Sequence, residues 1–285
     1  MFITRTVLLT VVLLLCYGLA MAEVQVAASF YPLAHFAGQV GGNLVQVTNV
    51  TPTGVEPHEF EPRPMDVKKA FASRLFVFNG GGIDPWAQKL QNDLQAKGVT
   101  VLCMACQLNK PDDPHFWIDP VLAIEEVRLI RDSLCRVDPQ NESVYKKNAE
   151  AYIKKLTTLD ANFREGLKTC KHREIVVTHN AFGYLAGRYN LKTLTLAGLS
   201  PIEEPSARKL GQISRVVKDK GIRHIFFESL VSPKIAQSIA TETGAVTLPL
   251  NPCEGLTTDD VNGGRDYIAI MQDNLKNLRL ALSCK

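Results

Sequence analysis

The chain has 285 residues, 46% of them hydrophobic and 21% charged, enough apolar content to form a core and too much to stay disordered. Its net charge of +3, from 32 basic and 29 acidic side chains, is too balanced for nucleic-acid binding driven by phosphate neutralisation. No repeat of about 20–50 residues and no low-complexity tract appears, which argues against solenoids and linkers.

In chain order, Arg5, an apolar run over 7–15 and the small residues Ala20 and Ala22 predict a secretory leader over 1–22, cleaved after Ala22. The apolar run falls short of the ~20 residues that span a bilayer. Leu15 before Cys16 departs from a lipidation motif. Export without an anchor places the expected mature chain, 23–285, in the periplasm.

A strand is expected over 24–29, a helix over 33–40, a strand over 44–50, a helix over 65–72 and a buried strand over 75–78, closed by Gly80-Gly81-Gly82. The second half repeats the plan: strand 174–178, helix 181–189, strand 192–196, helix 207–218 and strand 222–227. Val55-Glu56-Pro57 precedes the first half's second helix, and Glu203-Glu204-Pro205 precedes its counterpart. Strands alternating with helices predict parallel sheets with right-handed crossovers. The expected fold class is therefore α/β, with two lobes, each a mainly parallel sheet flanked by helices. Between the halves, Tyr145, Ala149, Tyr152, Leu156, Leu159, Phe163 and Leu167 recur at steps of three and four, the stripe of a long amphipathic helix. Asn141 is a plausible N-cap for it. The expected division is an N-terminal lobe over 23–140, a rigid bridging helix over 141–169 and a C-terminal lobe over 170–285.

In an oxidising compartment the cysteines beyond the leader read as disulfides rather than thiolate ligands. A helix of this length is roughly 40 Å long, so Cys135 and Cys170 at its opposite ends cannot pair. Cys253–Cys284 is the expected staple for the C-terminal helix. Cys103-Met104-Ala105-Cys106 has redox spacing, but Pro111 soon after excludes a long helix begun at the motif. It reads as a structural disulfide.

Of the 6 histidines, His35 lies in a predicted helix and reads as structural, His172 as a helix-end cap, and His224 as the start of a buried strand. The other three fall in loops or at a strand end. His58 follows a strand in a proline-bounded loop, His115 lies in another such loop, and His179 closes an apolar strand. Ligands of parallel sheets bind beyond the carboxyl ends of the strands, and three convergent neutral imidazoles make most of a tetrahedral zinc site. Their spacing matches no local zinc motif. His58-Glu59-Phe60-Glu61-Pro62 begins like a zinc-protease helix motif but carries proline where histidine is needed. The triple glycine lacks the lysine of a phosphate loop, and no nucleophile elbow is present.

Taken together, several segments resemble the zinc/manganese-binding solute-binding proteins of ABC importers. They are Pro57-His58-Glu59-Phe60-Glu61-Pro62, Asn79-Gly80-Gly81-Gly82-Ile83-Asp84-Pro85-Trp86, Asp113-Pro114-His115-Phe116-Trp117, Thr178-His179-Asn180-Ala181-Phe182-Gly183, and Phe227-Glu228-Ser229. The resemblance implies two α/β lobes bridged by a rigid helix, one metal between them, and His58, His115 and His179 as its ligands. Many relatives carry an aspartate after the last strand of the second lobe, where this chain reads Leu250-Asn251-Pro252. The fourth position is left to water, Glu228 or Glu59, and Glu228 equally suits a role orienting a histidine. Three imidazoles favour Zn2+ over Mn2+, the alternative cargo. The implied partners are an ABC permease and its ATPase subunits. The expected chain is monomeric, binds no nucleic acid and makes no bonds. The rival readings are a metal-binding adhesin and a secreted zinc-dependent hydrolase.

Overall fold

The computed structural model describes residues 23–201 and 205–285; the expected leader and the Glu203-Glu204 pair lie outside the described residues. The first half runs β1 (Val24–Ala28), α1 (Tyr31–Gly41), β2 (Val45–Asn49), α2 (Pro64–Phe71), β3 (Leu75–Phe78), α3 (Pro85–Ala96), β4 (Thr100–Cys103) and the short α4 (Met104–Leu108). Two long helices follow, α5 (Pro120–Val137) and α6 (Glu142–Gly166). The second half runs β5 (Glu174–Val177), α7 (Gly183–Arg188), β6 (Lys192–Thr195), α8 (Ala207–Asp219), β7 (His224–Phe227), α9 (Lys234–Thr243), β8 (Val246–Pro249), α10 (Thr258–Asn262) and α11 (Tyr267–Ala281).

The strands form two four-stranded sheets of the same order, β2-β1-β3-β4 and β6-β5-β7-β8. Every pairing between these strands is parallel. The central strands are apolar runs because helices cover both faces, and alternate residues point to opposite faces. Leu75 and Val77 of β3 enter the large core shared by both halves, whereas Phe76 and Phe78 pack under α3 with Trp86 and Leu94. In β5, Ile175 and Val177 face the shared core, and Val176 faces α8 and α9 with Ile213 and Ile239.

The α6 stripe is buried as its spacing requires: Tyr145, Ala149, Tyr152, Leu156, Leu159 and Phe163 are each at most 2% exposed. This face packs on α5 and α1 of the first half and on α11 of the second. The helix therefore contributes to one core continuous through both sheets. At 1.5 Å per residue α6 is about 37 Å long. Asp119 caps α5, accepting from the Val121 amide at 2.9 Å, and Arg188 Nε donates to both its oxygens at 2.7 Å. No described helix is long and apolar enough to cross a membrane.

The disulfide expectation needs one correction. Cys284 pairs with Cys170, not with Cys253; Cys253 is a buried free thiol and Cys135 is also free. The cause is a two-residue antiparallel bridge between Cys170 and Cys284, which brings the chain end back to the segment following α6. Cys253 is held instead by the preceding turn, its amide donating to Asn251 Oδ1 at 2.7 Å. Cys103–Cys106 is formed as expected.

Candidate metal centre

Three histidines and one glutamate meet past the carboxyl ends of the strands. His58 lies in the loop after β2, His115 in the segment after α4, His179 two residues past β5 and Glu254 in the loop after β8. One ligand-capable atom from each lies within 4.8 Å of the others, and this is the group of its kind found among the described residues. His58 Nε2 and His115 Nε2 are 3.2 Å apart. Glu254 Oε1 lies 3.8 Å from His58 Nε2, 3.4 Å from His115 Nε2 and 3.5 Å from His179 Nε2. A tetrahedron of ligands with Zn–N near 2.0–2.1 Å has edges of about 3.3 Å. The separations match that frame.

The other ring nitrogens are fixed from behind. His115 Nδ1 is 2.8 Å from Asp113 Oδ1, and His179 Nδ1 is 2.8 Å from Glu228 Oε1. Thr178 Oγ1 donates to the same Glu228 oxygen. These carboxylates set the tautomer: a proton on Nδ1 leaves each Nε2 lone pair facing the centre. Glu228, one of the sequence candidates for the fourth position, thus holds the outer side of His179, and Glu59 is not in the cluster. Glu254, which no sequence motif marks, supplies the inward carboxylate. His179 Nε2 and both Glu254 oxygens are buried without a protein hydrogen-bond partner.

Burial and charge oppose one another here. Burial alone would lower the His179 pKa, but Glu228 and then Glu254 hold it up at about 10. His115 is likewise raised against its burial by Asp113 and Glu254. Burial would raise Glu254, yet the three imidazoles facing it at 3.4–3.8 Å hold it well below the usual carboxylate range. Glu56, buried nearby, is pushed up to about 9, first by burial and then by the Glu254 charge. The carboxylates around His115 and His179 therefore favour positive charge at the cluster.

Long-range contacts lash the ligand-bearing loops together. Trp117 Nε1 donates to Pro252 O at 2.7 Å, and Tyr267 Oη donates to Trp117 O at 2.6 Å. The Gly54 amide donates to Leu256 O at 2.9 Å, tying the His58 loop to the Glu254 loop. His115 and His179 are fully buried, and His58 lines a surface cavity together with Glu59, Phe60, Glu61 and Trp86. The remaining histidines stand apart. His35 Nε2 lies 3.0 Å from Tyr152 Oη, and burial lowers its pKa to about 4. His172 follows α6 and its amide donates to Leu282 O; His224 opens β7.

The chain is similar to known proteins. A family model described as zinc-uptake complex component A, periplasmic (ZnuA) matches residues 26–281. The zinc-binding lipoprotein AdcA of Streptococcus pneumoniae is 37% identical over 277 residues, covering 90% of this chain and 55% of AdcA. The chain thus spans about half the length of that relative. The high-affinity zinc uptake system protein ZnuA of Bacillus subtilis is 34% identical over 283 residues, covering 92% of this chain and 89% of that one. The crystal structure of the Zn(II)-bound ZnuA-like domain of AdcA superposes with a TM-score of 0.82 at 37% identity, over 92% of this chain and 99% of that one. With the match extending through both sheets and all four clustered residues, the chain belongs to the family of periplasmic zinc-uptake complex component A proteins.

Proposed function

We propose that this chain is the substrate-binding component of an ABC-type metal importer. It captures Zn2+ between an N-terminal lobe (23–140) and a C-terminal lobe (170–285), held by the bridging helix (141–169), and hands the ion to a membrane permease driven by ATPase subunits. His58, His115 and His179 bind through Nε2, and Glu254 completes the set, with Glu228 and Asp113 orienting the rings. The observation that carries this reading is the Glu254 carboxylate, within 3.4–3.8 Å of three Nε2 atoms supplied by both halves.

The donor set favours zinc over manganese. Three imidazoles and one carboxylate suit Zn2+, whereas Mn2+ prefers oxygen-rich sites and binds most weakly in the divalent series. A hydrolase keeps one coordination position open for water or substrate; Glu254 occupies that position, so we assign the chain capture rather than turnover. Relatives named as zinc-uptake proteins support export and a periplasmic location.

Native mass spectrometry with metal analysis tests the reading. The chain from 23 onward, stripped with chelator and exposed to equimolar Zn2+ and Mn2+, is expected to carry one Zn2+. A His58→Ala variant is expected to lose it during buffer exchange. Retention of Mn2+ in preference to Zn2+, or zinc held equally by the variant, overturns the assignment.

A further inference from the structure

The Cys103–Cys106 disulfide lies outside the metal centre. It joins the end of β4 to α4, and its sulfurs are unequal: Cys103 is buried and Cys106 exposed. The pair borders a surface cavity of about 390 Å3 with one wall formed by Gly80, Gly81 and Gly82 and the rest lined by Gln88, Ala105, Asn109 and Pro111. These glycines have φ of 76°, 65° and 95°, so the wall is backbone that other residues rarely supply. A Cβ on Gly80 would come 3.3 Å from Cys103 Sγ. The bare wall leaves a small thiol room beside the disulfide. As a staple the pair does little. It joins residues three apart, whereas Cys170–Cys284 joins residues 114 apart, and loop-closure stabilisation grows with loop length. The Cys106 amide donates to Cys103 Sγ at 3.3 Å, a contact that favours negative charge on that sulfur.

The same turn moors the His115 loop. The Ala105 amide donates to Asn79 O at 2.8 Å, and Asn79 Nδ2 donates at 3.0 Å to the carbonyl of Pro114, next to His115. Gly81 packs on Pro114 closely enough that a Cβ would meet it at 3.2 Å.

We propose that Cys103–Cys106 is a thiol–disulfide exchange site, opened by a dithiol at Cys106, and that its opening loosens the loop carrying His115; the second half rests on the metal reading above. One thiolate of the dithiol attacks Cys106 Sγ, and the S–S bond breaks. Cys103 leaves with the electron pair as thiolate and takes a proton from water. The second thiolate of the dithiol then attacks its partner sulfur in the mixed disulfide, releasing Cys106 as thiolate, which is protonated in turn. Two electrons pass to the pair and the dithiol leaves as a disulfide.

Dithiothreitol is the probe. In the full chain, timed exposure followed by alkylation and peptide mass spectrometry reads each disulfide separately. Cys103–Cys106 is expected to open at least tenfold faster than Cys170–Cys284; equal or slower opening overturns the exchange site. The coupling is read by zinc competition on a C103S/C106S variant and, beside it, on wild-type chain opened and alkylated at this pair. Both are expected to bind zinc at least threefold more weakly than the oxidised chain, and unchanged affinity in either overturns the coupling. If the oxidised chain itself binds no zinc, the metal reading fails and the opening rates still decide the exchange site.

Discussion

Each imidazole offers a metal one nitrogen and needs its other nitrogen held elsewhere. Asp113 and Glu228 hold His115 and His179 in this way. Removing an inward ligand should therefore cost more than removing an outward one. In competition with a chelator, His179→Ala and Glu254→Ala are expected to lower zinc affinity at least tenfold, and Glu228→Gln less than either. A Glu228→Gln loss exceeding that of Glu254→Ala would reverse their roles. The pH dependence follows from His179, raised from 6.5 to about 10 by its carboxylates. Its charged ring stabilises the metal-free fold fully below pH 6.5, and that contribution is lost as pH rises through about 10. Zinc needs the neutral ring, so at neutral pH binding expels a proton and affinity rises with pH. Calorimetry in buffers of different ionisation enthalpy should register proton release; a buffer-independent heat contradicts it. The three histidines were legible because each sits beyond an apolar strand or in a proline-bounded loop. Glu254 was not. Its orientation depends on Trp117 Nε1 reaching Pro252 O across 135 positions and on Cys253 at φ 60°, neither of which leaves a local pattern.

Among elements, α6 carries the clearest signal, since a stripe sustained over several turns specifies both helix and buried face. Leu156 lies at its middle and is fully buried. Leu156→Ala is expected to destabilise the chain by about 2–5 kcal/mol, measured by denaturant unfolding. A loss under about 1 kcal/mol would mean that the face is not core. Helix α5 carries a comparable stripe, with Ala123, Val127, Ile130 and Leu134 fully buried, yet it is not among the elements expected from sequence, nor are α3, β4, α9 and β8. The two fourth strands are short sheet edges. β8 is exposed at both ends, and neither alternation nor a full apolar run marks such a strand. The parallel direction of the strands, though not their order, was legible from alternation of strand and helix alone.

For the whole molecule, the same strand order occurs twice, and each sheet brings two clustered residues to its carboxyl edge: His58 and His115 from the first, His179 and Glu254 from the second. The shared core along α6 and the Trp117–Pro252 and Gly54–Leu256 hydrogen bonds resist wide separation of the halves. The Cys170–Cys284 disulfide closes the second half across 114 positions. Replacing either cysteine with serine is expected to cost about 2–5 kcal/mol of stability, whereas serine at Cys135, a free thiol, should cost far less; thermal unfolding distinguishes them. The partner of Cys284 was not legible because that pairing depends on where the C-terminal segment returns, not on cysteine spacing. The most direct test is anomalous diffraction at the zinc edge from zinc-loaded crystals. One peak is expected, about 2.0–2.1 Å from Nε2 of His58, His115 and His179 and about 2.0–2.2 Å from a Glu254 oxygen. A peak that any of the three imidazoles does not reach, or one bound by Glu228 in place of Glu254, would contradict the account.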